Sequence, residues 1–151
     1  MAGLVMAEQV PFYGQIKCSL SPLPRGIHLI TDNIKTSLAK LPTLQVGLVH
    51  LFLQHTSASL LISENASDEV PLDLETHLNR LVPEDDQLYL HTIEGSDDMP
   101  GHIKNALLGS SLTIPITQGK MALGQWQGIF LCEHRNAATA RHIIITLQGL
   151  Q

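Results

Sequence analysis

Charge is scarce in this chain: Asp, Glu, Lys and Arg together make up only 15% of its 151 residues, and the formal net charge is −5 with histidine neutral. No run of Lys or Arg stands out, so the electrostatic footprint of a nucleic-acid binder is missing and nucleic acid is set aside as a partner. Cysteine is nearly absent too. Cys18 and Cys132 lie far apart with no CxxC pair, which points to neither a zinc ribbon nor a disulfide framework, and both are expected to be buried, reduced thiols. Met1 to Gln9 holds no basic leader followed by a long apolar core, and no stretch has the uninterrupted apolar length needed to span a bilayer. A soluble, cytoplasmic protein with no membrane partner is therefore expected, with residues 1–9 a loosely ordered extension. The sequon Asn65-Ala66-Ser67 has no consequence without a secretory signal. There is no Walker loop, no GxGxxG after a strand, no HExxH and no GxSxG, so nucleotide hydrolases, Rossmann enzymes, zincins and α/β-hydrolases lose their strongest support.

What is present fits one compact domain. Hydrophobic residues make up 44% of a length suited to a single core, and the small charged surface leaves room for a subunit interface. Eight histidines are many for such a chain, and histidine is both the common metal ligand and the side chain that titrates near neutrality.

Val10 to Leu20 reads as a strand broken by Pro22 and Pro24, and Gly26 to Ile30 restarts extended chain. Thr31 or Asp32 can cap a short helix with Ile34, Leu38 and Leu41 on one face, stopped by Pro42. Val46 to Leu53 is almost continuously apolar, as expected of a strand covered on both faces, and Ala58 to Ile62 resembles it. Ser67 can cap a helix whose stripe is Val70, Leu74, Leu78 and Leu81, with Pro71 tolerable near the first turn and Pro83 ending it. A short strand is expected around Leu88 to His91. A helix then runs from about Pro100 to Leu108, closed by Gly109. Strands follow at Ser111 to Ile116, Trp126 to Cys132 and His142 to Leu147. Strands outnumber helices and do not alternate with them strictly, so α+β is preferred to a doubly wound α/β fold.

Three segments carry the candidate chemistry. Gln54-His55-Thr56-Ser57 lies between two buried strands, where an unpaired polar group costs on the order of 1–3 kcal/mol, so it must be paired or lie at an edge. His91 to Lys104 packs two histidines, the carboxylates Glu94, Asp97 and Asp98, and Lys104 around a helix start, whose free N–H groups attract anions. Asp97 and Asp98 suit plain capping equally well. Glu133-His134-Arg135 and Arg141 close the third segment: Arg135 and Arg141 could grip an anion in fork geometry, and Glu133 could act as base or hold a ligand histidine in its tautomer. For His134 and Arg135 a solvated turn is the simpler reading. If His55, His91 and His102 meet, three imidazoles suit zinc, whereas magnesium would favour Asp97, Asp98 and Glu94. His28, His50, His77 and His142 are assigned structural or surface roles.

The segments Leu53-Gln54-His55-Thr56-Ser57-Ala58-Ser59-Leu60, Glu94-Gly95-Ser96-Asp97-Asp98-Met99-Pro100-Gly101-His102-Ile103-Lys104 and Gly124-Gln125-Trp126-Gln127-Gly128-Ile129 resemble signatures of the YjbQ family, as do Glu133-His134-Arg135 and Leu147-Gln148-Gly149. The resemblance runs from about Phe12 onward. It implies an α+β fold with a twisted β-sandwich-like core, a homotrimer, a metal-binding histidine pocket, and a weak thiamine-phosphate synthase activity that can be secondary to another role. His55, Glu94, Asp97, Asp98, His102, Trp126, Gln127 and Glu133 match motif positions, and His91 precedes the acidic segment as the family would have it. Asn136 to Ala140 departs from the Gly-rich turn of many members. The reading is then a metal-assisted enzyme on a phosphorylated small molecule: a divalent ion (zinc or magnesium) on His55, His91 and His102, with Glu133, Asp97, Asp98, Lys104 and Arg141 as catalytic residues. A non-catalytic metabolite- or metal-binding trimer and a metal-dependent hydrolase are the alternatives.

Overall fold

The computed structural model describes residues 9–151. The extension expected over residues 1–9 thus lies outside the described residues except for Gln9. Alternation builds the larger sheet. β1 (Pro11–Leu20), β3 (Val46–Leu53) and β8 (Arg141–Leu150) bury side chains with period two, as a sheet with one face on a core does. With β5 (Ser111–Thr117) and the two-residue β6 (Lys120–Met121) they form an antiparallel sheet in the order β1-β8-β3-β5-β6.

The second sheet has the order β2-β7-β4, from β2 (Gly26–Leu29), β7 (Gln127–Glu133) and β4 (Ala58–Glu64), again antiparallel. The core lies between the sheets. Val49, Leu51, Leu53, Ile143 and Ile145 come from the larger sheet, and Ala58, Leu60, Ile129 and Leu131 from the smaller. Truncating such a side chain, Leu51→Ala for example, typically costs about 2–5 kcal/mol. Phe130 and Cys132 are equally buried but alternate to the opposite face of β7, outside that core cluster. Three helices complete the domain. α1 (Thr31–Leu38) packs on β1, α2 (Glu69–Leu81) on β2 and α3 (Asp98–Leu108) on β4. The fold is the expected α+β type, and among the described residues no helix is long and apolar enough to cross a membrane.

Several local expectations fail for physical reasons. The strand placed over Leu88 to His91 does not form. A 3-10 turn at Asp86–Leu88, capped by Asp85 Oδ1 on the Gln87 N–H at 3.0 Å, leads through an extended Tyr89 to a bend at Leu90, which is 104% exposed, and among the described residues no strand pairs with this segment. β3 is covered on one face only: Val46, Leu48 and Phe52 point outward and are exposed. On α2, Leu81 turns to solvent and Val82, just past the helix, is buried in its place. Ser67 does serve the start of α2, its Oγ accepting the Glu69 N–H at 3.3 Å. Both cysteines are free and buried, as expected.

Candidate metal centre

α3 opens with two acids because its first turn lies buried against a cation. Asp97 and Asp98 share Arg135, which follows β7. Arg135 Nε donates to Asp97 Oδ2 at 3.0 Å, Nη1 to Asp98 Oδ1, and Nη2 to the Glu94 carbonyl at 2.9 Å. The Asn136 N–H adds a 2.8 Å bond to Asp97 Oδ2. Gly95, at φ 114°, lets the chain turn into this arrangement; a Cβ there would stand 2.9 Å from Asp97 Oδ1. Burial raises the pKa of both carboxyls, yet the donors outweigh it. The Asn136 and Arg135 bonds hold Asp97 below the ordinary carboxylate range, and the His91 bond with the charges of His102 and Arg135 does the same for Asp98.

The other Asp98 oxygen faces two imidazoles. His91 Nε2 lies 2.8 Å and His102 Nε2 3.1 Å from Asp98 Oδ2, and the two rings are 5.5 Å apart. Asp98 and His102 meet because they are four residues apart on one helix. His91 arrives from the loop before α3. Exposure is graded: the Asp98 side chain is 2% exposed, His102 30% and His91 49%, so the cluster is anchored in the protein and open on one side. His102 Nδ1 lies 2.7 Å from the Thr56 carbonyl, which can only accept, so the proton sits on Nδ1. With that proton alone, the ring would point its Nε2 lone pair at a carboxylate oxygen. That contact is repulsive unless the ring carries a second proton or a cation lies between them.

Among the described residues, His91, Asp98 and His102 place their ligand atoms within 4.8 Å of one another. A tetrahedral zinc site with bonds of about 2.0 Å spaces its ligand atoms by about 3.3 Å; the two separations from Asp98 Oδ2, 2.8 and 3.1 Å, would have to open slightly, and the two histidine nitrogens lie within 4.8 Å of each other. The residue types fit such an ion. Thr56 and Arg135 supply the outer partners that usually orient ligating histidines and carboxylates.

Of the three imidazoles expected together, the structure gathers two. His55 is occupied elsewhere: its Nε2 accepts the His142 backbone N–H at 2.9 Å, and its ring stands 5.6 Å from that of His142. Burial and the Arg141 charge lower its pKa, which keeps it neutral and able to accept. Asp98 takes its place in the cluster.

The remaining candidates are largely internal. Glu133 is fully buried and grips Arg141 through two bonds, Nε to Oε2 at 2.7 Å and Nη2 to Oε1 at 2.6 Å. Arg141 also donates to Ser57 Oγ at 3.0 Å, and so ties the His55–Ser57 segment to β7 and β8. Lys104 is fully buried, with Nζ donating to Asn79 Oδ1 at 2.7 Å, and burial followed by the Arg25 charge lowers its pKa. Lys104 and Arg141 are thus buried and hold elements together. Glu94 is exposed and contributes only its carbonyl. His134 and Arg135 are not a solvated turn: His134 is buried with Nε2 2.8 Å from Ser59 Oγ, and Arg135 braces the acids. In sequence Arg135 stands only as an anion-binding candidate or a turn residue; its pairing with Asp97 and Asp98, 38 and 37 residues away, comes from folding. Trp126 and Gln127 lie at the far end of β7 from Glu133, roughly 20 Å along the strand, and belong to no cluster here.

Two antiparallel sheets with three helices, and a His–Asp–His cluster at the start of the third helix, define an α+β protein with a potential metal centre. The chain belongs to the YjbQ family: the model described as UPF0047 protein YjbQ-like matches residues 17–150. It is 53% identical over 131 residues to the UPF0047 protein YjbQ of Salmonella typhimurium, covering 87% of this chain and 94% of that one. A YjbQ/UPF0047 family protein of Clostridium acetobutylicum has a similar structure, with a TM-score of 0.75 and 30% identity over 87% of this chain and 98% of that one. A YbjQ-like protein of unknown function from Sulfolobus solfataricus P2 shares the fold at a TM-score of 0.78 and 21% identity, over 94% of this chain and 99% of that one.

Proposed function

We propose that this protein is a divalent-metal-dependent enzyme acting on a phosphorylated small molecule, with thiamine-phosphate synthesis as the reaction to assay first. One observation carries the reading: the Nε2 atoms of His91 and His102 converge on one Asp98 oxygen while the Nδ1 of His102 is committed to Thr56. His91, Asp98 and His102 would hold the ion, and two imidazoles with one carboxylate favour zinc over magnesium. Bound there, it would supply Lewis-acid neutralisation of phosphate oxygens, the charge that develops when pyrophosphate leaves. Arg135 keeps both acids ionised and in place, and half-exposed His91 leaves a side for substrate. Glu133, Arg141 and Lys104 position the surrounding segments and do not transfer protons.

We further assign the chain to a homotrimer in the cytoplasm. The uncovered outer face of the larger sheet, with Tyr13, Leu48 and Phe52 exposed, supports a subunit contact, and two free buried thiols fit a reducing compartment. The test is metal analysis of protein purified without a histidine tag, then turnover of pyrimidine pyrophosphate with thiazole phosphate by wild type and His102→Ala. Stoichiometric zinc and turnover lost in the variant support the reading. No metal and undiminished turnover in the variant overturn it. Saturation at one equivalent without product would make the protein a binder, and pyrophosphate release without the thiazole acceptor would make it a hydrolase.

A further inference from the structure

A cavity of about 560 Å³ opens at the opposite end of the larger sheet from Asp98. On β8, Leu147 lines it, whereas Arg141 lies beside the Ser57 segment, and six residues of strand separate them by roughly 20 Å. The cavity forms where the end of α1 and the loop after it face the β5–β6 hairpin, which reverses through Gln118 at φ 50° and Gly119 at φ 81°. Leu44, Ile116 and Leu147, all members of the buried core, form its floor. Half-buried Leu38, Leu41 and Met121 form its walls.

Its charged groups are of one sign. Lys35 enters from α1 and Lys120 from β6, both exposed, and among the described residues that line the cavity none is acidic. That segregation runs against the chain as a whole, where 14 acids outnumber nine bases. The last turn of α1 does not oppose an anion with free carbonyls, because the Lys35, Ser37 and Leu38 carbonyls already accept N–H groups from residues 39–41. The volume falls in the range of small-molecule sites, roughly 300–1,000 Å³. An apolar bowl with two cations at its rim suits a ligand with an apolar body and one anionic end. Lysines are flexible point charges without the fixed fork that selects a dianion, so a carboxylate suits them.

We propose that this cavity binds a small amphipathic carboxylate, its alkyl or aryl body on Leu44, Ile116 and Leu147 and its carboxylate between Lys35 and Lys120. The site is separate from the metal centre and stands or falls independently of it. The probe is octanoate, titrated into the untagged full chain and followed by amide NMR shifts, with octanol as the uncharged control. Saturable shifts are expected over residues 38–44 and 116–121. Affinity should fall at least 10-fold in the double variant Lys35→Glu/Lys120→Glu and for octanol, and Leu38→Trp, which fills the cavity, should abolish binding while the spectrum stays dispersed. Chelator-treated protein should bind octanoate as well as untreated protein. Shifts that never saturate, shifts centred elsewhere, wild-type affinity in the double variant, or binding lost on chelation would each overturn the proposal.

Discussion

His102 and Thr56 are joined by a 2.7 Å hydrogen bond from the ring Nδ1–H to the backbone carbonyl, so His102 meets Asp98 through Nε2 alone. The ring is held in the tautomer a metal ligand needs, in a protein whose third helix presents Asp98 one turn earlier. Asp98→Asn keeps the shape and removes the charge. Because even outer partners are worth about 10–100-fold in metal affinity, the loss of a direct carboxylate should weaken zinc binding by about 100-fold or more. Competition against a calibrated chelator measures this, and unchanged affinity would remove Asp98 from the ligand set.

Arg135 is the counter-charge that lets Asp97 and Asp98 stay ionised while nearly buried. Arg135→Ala leaves both acids without their guanidinium partner, and removing one side of such a pair costs on the order of 3 kcal/mol. Urea denaturation should show that loss at pH 7, with Arg135→Lys recovering only part of it because lysine cannot donate in a fork. A variant as stable as wild type would mean that solvent, not Arg135, satisfies the acids.

Glu133 and Arg141 present a different balance. The pair is almost fully buried, so deleting either partner strands a charge, at a cost of about 3–5 kcal/mol. Replacing both with apolar residues, Glu133→Met/Arg141→Leu, should recover much of that stability. It should not recover activity, since the bonds from Arg141 to Ser57 Oγ and to the Ser57 carbonyl at 3.3 Å would be gone. A double variant that regains full turnover would show that the Ser57 segment needs no such anchor.

How far the sequence could be read follows from what each feature depends on. Elements with strong local signals were legible: the alternation of β1, the Pro-bounded helices, and Gly109, at φ 97°, just after α3. The i,i+4 pair Asp98 and His102 was also within reach, because helical spacing alone brings it together. His55 was misplaced because its partner, the His142 backbone N–H, is 87 residues away and carries no side-chain signature. Lys104 and Arg141 looked like substrate-facing cations because sequence shows charge but not depth; that Asn79 and Glu133 would bury them is a property of packing. The uncovered face of β3 was hidden for a related reason, since an apolar run looks alike whether a helix or another subunit covers it.

The outer face of the larger sheet offers the most direct probe of assembly. Tyr13, Leu48, His50, Thr113, Thr146 and Gln148 line a shallow hollow there, with Phe52 exposed nearby on β3. Placing charges in an apolar contact between copies desolvates them without partners, a cost of several kcal/mol. Leu48→Lys/Phe52→Lys should therefore convert the proposed trimer to monomers in sedimentation velocity while circular dichroism is retained. A variant that still sediments as wild type would move the subunit contact to another surface.

His134 gives the fold a specific sensitivity to acid. The ring is buried, its Nε2 is committed to Ser59 Oγ and its Nδ1 has no partner among the described residues. Burial, then the charges of Lys104, Arg25 and Arg141, push its pKa down from 6.5 to about 3. The ring is therefore neutral in the folded protein throughout the range where the unfolded chain would protonate it. Above pH 6.5 both states hold it neutral and stability is unaffected. As pH falls below 6.5 the unfolded state gains a proton that the folded state refuses, so stability drops, and the loss continues until the folded pKa is reached. At about 1.4 kcal/mol per unit this amounts to about 2–3 kcal/mol between pH 6.5 and 4.5, a window above the depressed pKa values of Asp97 and Asp98. His134→Gln should flatten the dependence of the urea midpoint on pH across that window, whatever it does to stability at pH 7. Parallel curves for wild type and variant would mean that His134 takes up its proton inside the folded protein.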